Sequence, residues 1–271
     1  MQDGGVDGGR IMIRRVLFAV FLAAMSACGS AQAEASLCAG GVEIRDAHIV
    51  RVEHNGVLVL RDGRALLLAG IVLPNAAQDH APQLFTDQAY DALNTMAAGH
   101  DLVAHAIYPK EDRYDRVRSQ VFTRDGAWLQ IELLKRGLAR VDLTPDRGEC
   151  AGEFYAAEAQ ARAAHLGIWS TPAYAIRTPD ALKADAGTFQ IVQGRVLNAE
   201  VKDGRAYLNF GSDWKTDFTV TISSDDMKIY RRMGVDPRGY QGKLMRVRGI
   251  VQWLNGPEIE LANPKQAEVL Q

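Results

Sequence analysis

Residues 42–71 and 102–123 alternate apolar and polar side chains with a period of two, and a stretch of helical spacing at 82–98 separates them. A period of two sends every second side chain to the same face of a sheet. This part of the chain must therefore fold as strands that share one buried face. Three strand-like stretches occupy 42–52, 57–60 and 65–71, and the last two meet at Arg61-Asp62-Gly63-Arg64, whose Asp-Gly pair is a strong hairpin signal. Leu84, Phe85, Ala89, Leu93 and Met96 then recur at helical spacing and end at Gly99, a suitable C-cap. Strands at 102–108 and 117–123 follow, and Asp125-Gly126 introduces a helix through Trp128, Ile131, Leu134 and Lys135 to Gly137. A further helix from about 152 to 165 stops at Gly167. The order is three strands, a helix, two strands and two helices, with Trp128 and Trp169 assigned to the core.

The chain has 271 residues, a length that suits two domains. The connector 171–187 carries Pro172, Pro179, Asp180, Lys183 and Asp185 without periodicity and reads as a linker. Beyond it, 189–201 and 205–210 alternate across the turn Lys202-Asp203-Gly204, and 217–222 forms a third strand. Ser224 is the expected N-cap of a short helix through Met227, Ile229, Tyr230 and Met233 to Gly234. A hairpin of 244–254 and 257–261 turns at Asn255-Gly256. Three strands, a helix and two strands is the order of an OB-type barrel. The fold class is thus α+β, mainly β, with domains at 42–170 and 188–271.

Arg14-Arg15, the apolar run 16–25 and the small residues after it have the order of a secretory signal peptide, expected over 1–33. Either Met1 or Met12 serves as its start. Ala31-Gln32-Ala33 fits the small-x-small cleavage rule, whereas Met25-Ser26-Ala27-Cys28 resembles a bacterial lipobox, so a free periplasmic or secreted protein and a lipoprotein anchored at Cys28 both stand as expectations. Export leaves Cys38 and Cys150 as a pair in an oxidising compartment, and the expected disulfide closes a loop of about 110 residues, worth roughly 4 kcal/mol. A formal net charge of -2 gives no global attraction for nucleic acid, so polyanion binding has to come from a local basic patch.

Five strings occur in order: Leu68-Ala69-Gly70-Ile71-x-x-Pro74; Asp112-Arg113-Tyr114-x-Arg116; Leu134-x-x-Gly137-Leu138-Ala139; Ala157-Glu158-x-x-Ala161-Arg162; and Leu166-Gly167-Ile168-Trp169. In sequence and spacing this stretch resembles the staphylococcal nuclease family. The resemblance implies a five-stranded OB-type barrel with three helices, hydrolysis of DNA and RNA phosphodiesters, and calcium as the usual cofactor. Carboxylates hold such a cation, one carboxylate activates or positions water, and two arginines neutralise charge on the phosphate. Family members commonly read Arg-Leu-Ala-Gly-Ile-Asp-x-Pro-Glu where this chain reads Leu67-Leu68-Ala69-Gly70-Ile71-Val72-Leu73-Pro74-Asn75. The arginine position is Leu67, the metal aspartate Val72 and the glutamate Asn75, and the other metal aspartate aligns with Gly56. Only Arg116 retains a family role, and the glycine that normally precedes it is Asp115. Loss of one well-placed electrostatic group costs about 10²- to 10³-fold, so these combined losses imply a degenerate site with no metal and no cofactor.

Two functions stay open. One is an exported, non-catalytic module that binds nucleic acid or a periplasmic protein. The other is a working metal-dependent phosphodiesterase with a site rebuilt from Asp79-His80, His48, His54 and Asp115. Arg116 itself has a phosphate-binding and a structural reading, the latter through Asp112 or Asp115. In the second domain, Tyr207-Leu208-Asn209-Phe210-Gly211, Asp217-Phe218-Thr219 and Gly242-Lys243-x-x-Arg246-Val247-Arg248-Gly249 resemble the OB-like domain found behind export-targeted bacterial nuclease domains. Lys243, Arg246, Arg248, Trp214 and Trp253 are its candidate single-strand-binding residues, with Arg246 and Arg248 on one strand face. The opposing reading is a solvated face balanced by Asp213, Asp217, Glu258 and Glu260.

Overall fold

The computed structural model describes residues 41–143, 148, 150–213 and 215–270, together with Met1 and Gly4. The signal peptide, the lipobox, Cys38 and Trp214 lie outside the described residues, and so does the expected disulfide, of which Cys150 is the buried described member.

In the first domain β1 (Val42–Ile44) and β2 (Ile49–Val52) are two halves of one bent strand, with Asp46 at φ 56° inside the bend. β2 pairs with β3 (Leu58–Leu60), β3 with β4 (Ala65–Leu68), β4 in parallel with β7 (Val117–Phe122), β7 with β6 (Val103–Glu111), and β6 with β1. The circuit of pairings forms one six-stranded sheet whose two end strands, β1 and β2, are neighbours in sequence, an order consistent with an OB-type barrel. Between β4 and β6 lie β5 (Ile71–Val72), α1 (Ala76–Asp79) and α2 (Gln83–Ala97). Ala89, Leu93 and Ala97, four residues apart, face the barrel core, while Phe85 one turn earlier packs on Tyr174. α3 (Leu129–Lys135), β8 (Arg140–Val141) and α4 (Ala151–Ala163) complete the domain. Ile49, Leu58, Leu60, Leu66, Leu93, Leu129 and Leu133 are sealed from solvent, each worth about 1.5–3 kcal/mol of burial. Trp128 and Trp169 are core residues, both 7% exposed.

Gly137 and Gly167 explain two of the sequence strings. Both have positive φ, Ile168 N–H donates to Gly137 O at 2.9 Å, and a Cβ on Gly167 would fall 2.2 Å from that same carbonyl. Only glycine allows so close an approach.

The second domain repeats the circuit. β9 (Phe189–Arg195) continues into β10 (Asn198–Lys202), which pairs with β11 (Arg205–Asn209), and β11 with β12 (Thr219–Ile222). β12 runs parallel to β15 (Pro257–Glu260), β15 pairs with β14 (Gln252–Trp253), and β13 (Leu244–Ile250), which leads into β14, pairs back onto β9. The helix α5 (Met227–Arg232) sits between the third and fourth strands of the circuit, and a terminal β16 (Ala267–Val269) lies on β13. The expected cap at Ser224 is not formed: Asp226 precedes α5 without a side-chain capping bond, and Ser223 Oγ accepts from Asp226 N–H at 3.1 Å in the turn before it.

The connector is not a loose tether. In 171–187 Tyr174 and Leu182 are buried, Arg177 pairs with Asp185 at 3.1 Å, and the Arg177 backbone exchanges hydrogen bonds with Ile191 and Gln193 on the edge of β9. Composition marked it as irregular, but its largest apolar residues, Tyr174 and Leu182, are spent on packing.

Candidate functional site

The parallel pair β4–β7, the loop that enters β3 and the exit from β5 converge on one cleft of about 360 Å³. Gly56, Leu67, Val72, Asn75 and Arg116 all line it. The fold thus brings together the five positions to which the family resemblance assigns chemistry, although 60 residues of sequence separate Gly56 from Arg116.

What occupies those positions is not calcium chemistry. Gly56 is buried at φ 82°, and the place where its Cβ would stand is 2.5 Å from Leu73 Cδ1. A leucine methyl fills the space into which an aspartate side chain would project. Leu67 and Val72 add hydrocarbon beside it. Asn75 has become a helix cap: its side chain accepts from Gln78 N–H at 3.1 Å, while its own N–H donates to Asp79 at 2.9 Å. Calcium takes roughly six to eight oxygen ligands. The one carboxylate lining the cleft is Asp142, and among the described residues no group of three or more His, Cys, Asp or Glu is placed to hold a metal ion. The residues present do not fit the family's cation.

The alternative cluster is dispersed. Asp79 is buried and receives hydrogen bonds from Arg140 at 2.8 Å and Tyr174 at 3.0 Å, so it is structural. His48 pairs with Asp101 at 2.7 Å. His54 reaches the cleft rim but stacks on Tyr90, with ring centroids 4.2 Å apart. Asp115 is exposed on a turn at φ 59°, the left-handed conformation that makes glycine the usual residue there and that Asp also tolerates.

Arg116 is held by Asp112, which accepts from its Nε at 2.8 Å and its Nη2 at 2.6 Å and from the N–H groups of Tyr114 and Arg116. Burial raises the Asp112 pKa, but the Arg116 guanidinium and these N–H donors outweigh it and leave the carboxyl below its ordinary value. A guanidinium has five donors, so this pair orients Arg116 without engaging its Nη1 edge. Tyr114, exposed, lies under both Arg113 and Arg116 at 4.8 and 5.0 Å. The structural reading of Arg116 is thereby realised, and it leaves donors for a ligand. A second guanidinium on the lining, Arg118, is not among the residues that the sequence motifs single out. The signal was present, since residues i and i+2 of a strand share a face.

In 65–171 the chain matches the family model described as staphylococcal nuclease homologue. The first domain carries a staphylococcal nuclease-like domain. A protein named probable endonuclease lcl3, from Pyrenophora tritici-repentis (strain Pt-1C-BFP), is 32% identical over 114 residues, which cover 39% of this chain and 41% of that protein. The match thus spans about two fifths of the relative's length.

Behind the nuclease-like domain, the described candidates of the second barrel, Lys243, Arg246, Arg248 and Trp253, do not share one exposed surface. Arg248 is fully buried between the barrels, where Glu158 and Glu268 hold it, because its strand face is covered by α4 rather than by water. Arg246, partly buried, pairs with Gln193 at 2.8 Å and with Glu268 at 3.5 Å. Lys243 and Trp253 are exposed but flank opposite ends of β13. The main groove of this barrel, about 650 Å³, is lined by Glu200, Asp203, Asp217 and Glu258 with Lys202 as its cation.

Proposed function

We propose that this is an exported nuclease-fold protein that binds a phosphodiester chain, DNA or RNA, at the Arg116 cleft without hydrolysing it. The observation that carries this reading is Leu73 Cδ1 in the place of an aspartate on Gly56, together with hydrocarbon at Leu67 and Val72. A site filled in this way has lost its metal ligands and its water-activating carboxylate, yet it keeps guanidinium donors beside an exposed aromatic ring, the combination that holds single-stranded nucleic acid. Export rests on the basic, apolar and small-residue order of the first segment.

The test incubates the purified protein with single- and double-stranded DNA and RNA, in calcium, in transition metals and in chelator. Retention of intact substrate with measurable binding supports the proposal. Metal-dependent cleavage that disappears in Arg116→Ala would establish a working nuclease, in line with the relative's name of probable endonuclease. Neither binding nor cleavage would point to a protein partner.

A further inference from the structure

The cleft carries two arginines, although Leu67 stands where the family resemblance implies one of them. In the parallel pair β4–β7, Leu67 stands opposite Arg118, and both line the cleft with Arg116. Directly opposite residues on neighbouring strands project to the same face with Cβ atoms about 4.5–5.5 Å apart. The cation missing at 67 is therefore restored from the adjacent strand. Arg116 and Arg118, two positions apart, are about 7 Å apart along the strand, a spacing that two long side chains can close around one tetrahedral anion.

Carboxylate-built sites need a cation before they accept phosphate, because the bare carboxylates repel it. Here Gly56, Val72 and Asn75 carry no charge, and of the described lining Asp142 is the negative member against Arg116 and Arg118. From this geometry we infer that the cleft binds one phosphate group of a phosphodiester chain through Arg116 and Arg118 with no divalent cation. Arg–phosphate pairing is charge-assisted and bidentate, and the wall of Leu67, Val72 and Leu73 takes the apolar side of the attached nucleoside. The inference rests on the non-hydrolytic reading above and names the group that such binding uses.

The test measures fluorescence anisotropy of a labelled short oligothymidylate with the full protein, in calcium and in EDTA. The expected affinities agree within about twofold, and Arg118→Leu and Arg116→Leu each weaken binding about 10- to 100-fold, the range for a hydrogen bond to a charged group. Arg118→Lys, which keeps charge and stem if the leucine variant does not fold, falls between. Arg124→Ala, outside the cleft, leaves binding unchanged. Unaltered affinity in both Arg118 variants, with Arg116→Leu inactive, overturns the arginine pair but not the reading beneath it. Binding that requires calcium, or cleavage of the probe, overturns the reading itself, and no binding by the unaltered protein overturns both.

Discussion

Arg248 Nη1 lies 3.0 Å from each carboxylate oxygen of Glu158, with both side chains sealed from solvent and each contributed by a different barrel. Glu268 at 2.6 Å and the Tyr155 ring at 4.5 Å complete the enclosure of the guanidinium, while Glu158 also accepts from Val141 N–H at 2.8 Å. Burial alone would lower the Arg248 pKa, but Glu158, Tyr155 and Glu268 around the guanidinium outweigh it and raise it. A mirrored contact runs the other way, from Arg140 of the first barrel to Phe189 O of the second at 2.7 Å.

Removing one member of such a pair strands a buried charge. Arg248→Met is expected to destabilise the protein by about 3–5 kcal/mol, whereas Arg248→Met combined with Glu158→Leu costs less than either change alone. Chemical denaturation monitored by intrinsic fluorescence reads both effects. Because the contact belongs to the two barrels at once, the unaltered protein is expected to unfold in one transition and the single variants in two.

Local order was legible in the sequence; long-range pairing was not. Asp62-Gly63, Lys202-Asp203-Gly204 and Asn255-Gly256 mark real turns, with φ 88° at Gly63 and 51° and 79° at Asp203 and Gly204, because turn geometry is decided by the residues within it. The family strings located the cleft for the same reason that they place Gly137 beside Gly167: each is a backbone requirement. Arg248 looked like a surface cation since its alternation with Arg246 is right, but what covers that face is α4, 90 residues earlier. The closure of Gly56 by Leu73 was equally invisible, as Leu73 belongs to no motif and acts only through proximity.

That closure makes a simple restoration fail. Gly56→Asp places a β-carbon at positive φ and against Leu73, and the expected loss is about 1–3 kcal/mol with no gain in calcium affinity. Shrinking Leu73 to Thr in the same protein relieves the clash, and adding Val72→Asp and Asn75→Glu supplies further oxygens. Calorimetric titration with calcium is expected to show heat only for the combined variant. Calcium binding by Gly56→Asp alone would contradict the steric argument.

Asp112 gives the cleft a defined acid limit. Its folded pKa lies below the unfolded value of about 3.9, so its stabilising contribution is fully present above that pH and is lost as the pH falls through the folded value. Asp112→Asn is expected to lower stability by about 1–2 kcal/mol at neutral pH. The gap between the variant and the unaltered protein closes below about pH 4, the range in which the carboxyl of the latter protonates. Thermal melts recorded from acid to neutral pH check the sign, and a gap that widened in acid would contradict it.

On the proposed reading, the acidic groove of the second barrel argues that binding of a phosphodiester chain uses the first barrel alone. Glu200, Asp203, Asp217 and Glu258 line it, and among the described residues Lys202 is the cation that lines it with them. Any phosphate chain approaching that groove meets like charge, whose cost is screened only as salt is added. Trp253 is 48% exposed but has no arginine partner on its face, since Arg246 and Arg248 are turned to Glu268. Trp253→Ala and Lys243→Ala are therefore expected to change oligothymidylate affinity by less than about twofold, against the roughly 1–3 kcal/mol that loss of a true stacking residue costs. Anisotropy titrations at low salt, where surface electrostatics is strongest, are the sensitive measurement, and a tenfold loss in either variant would restore the second barrel as a binding surface.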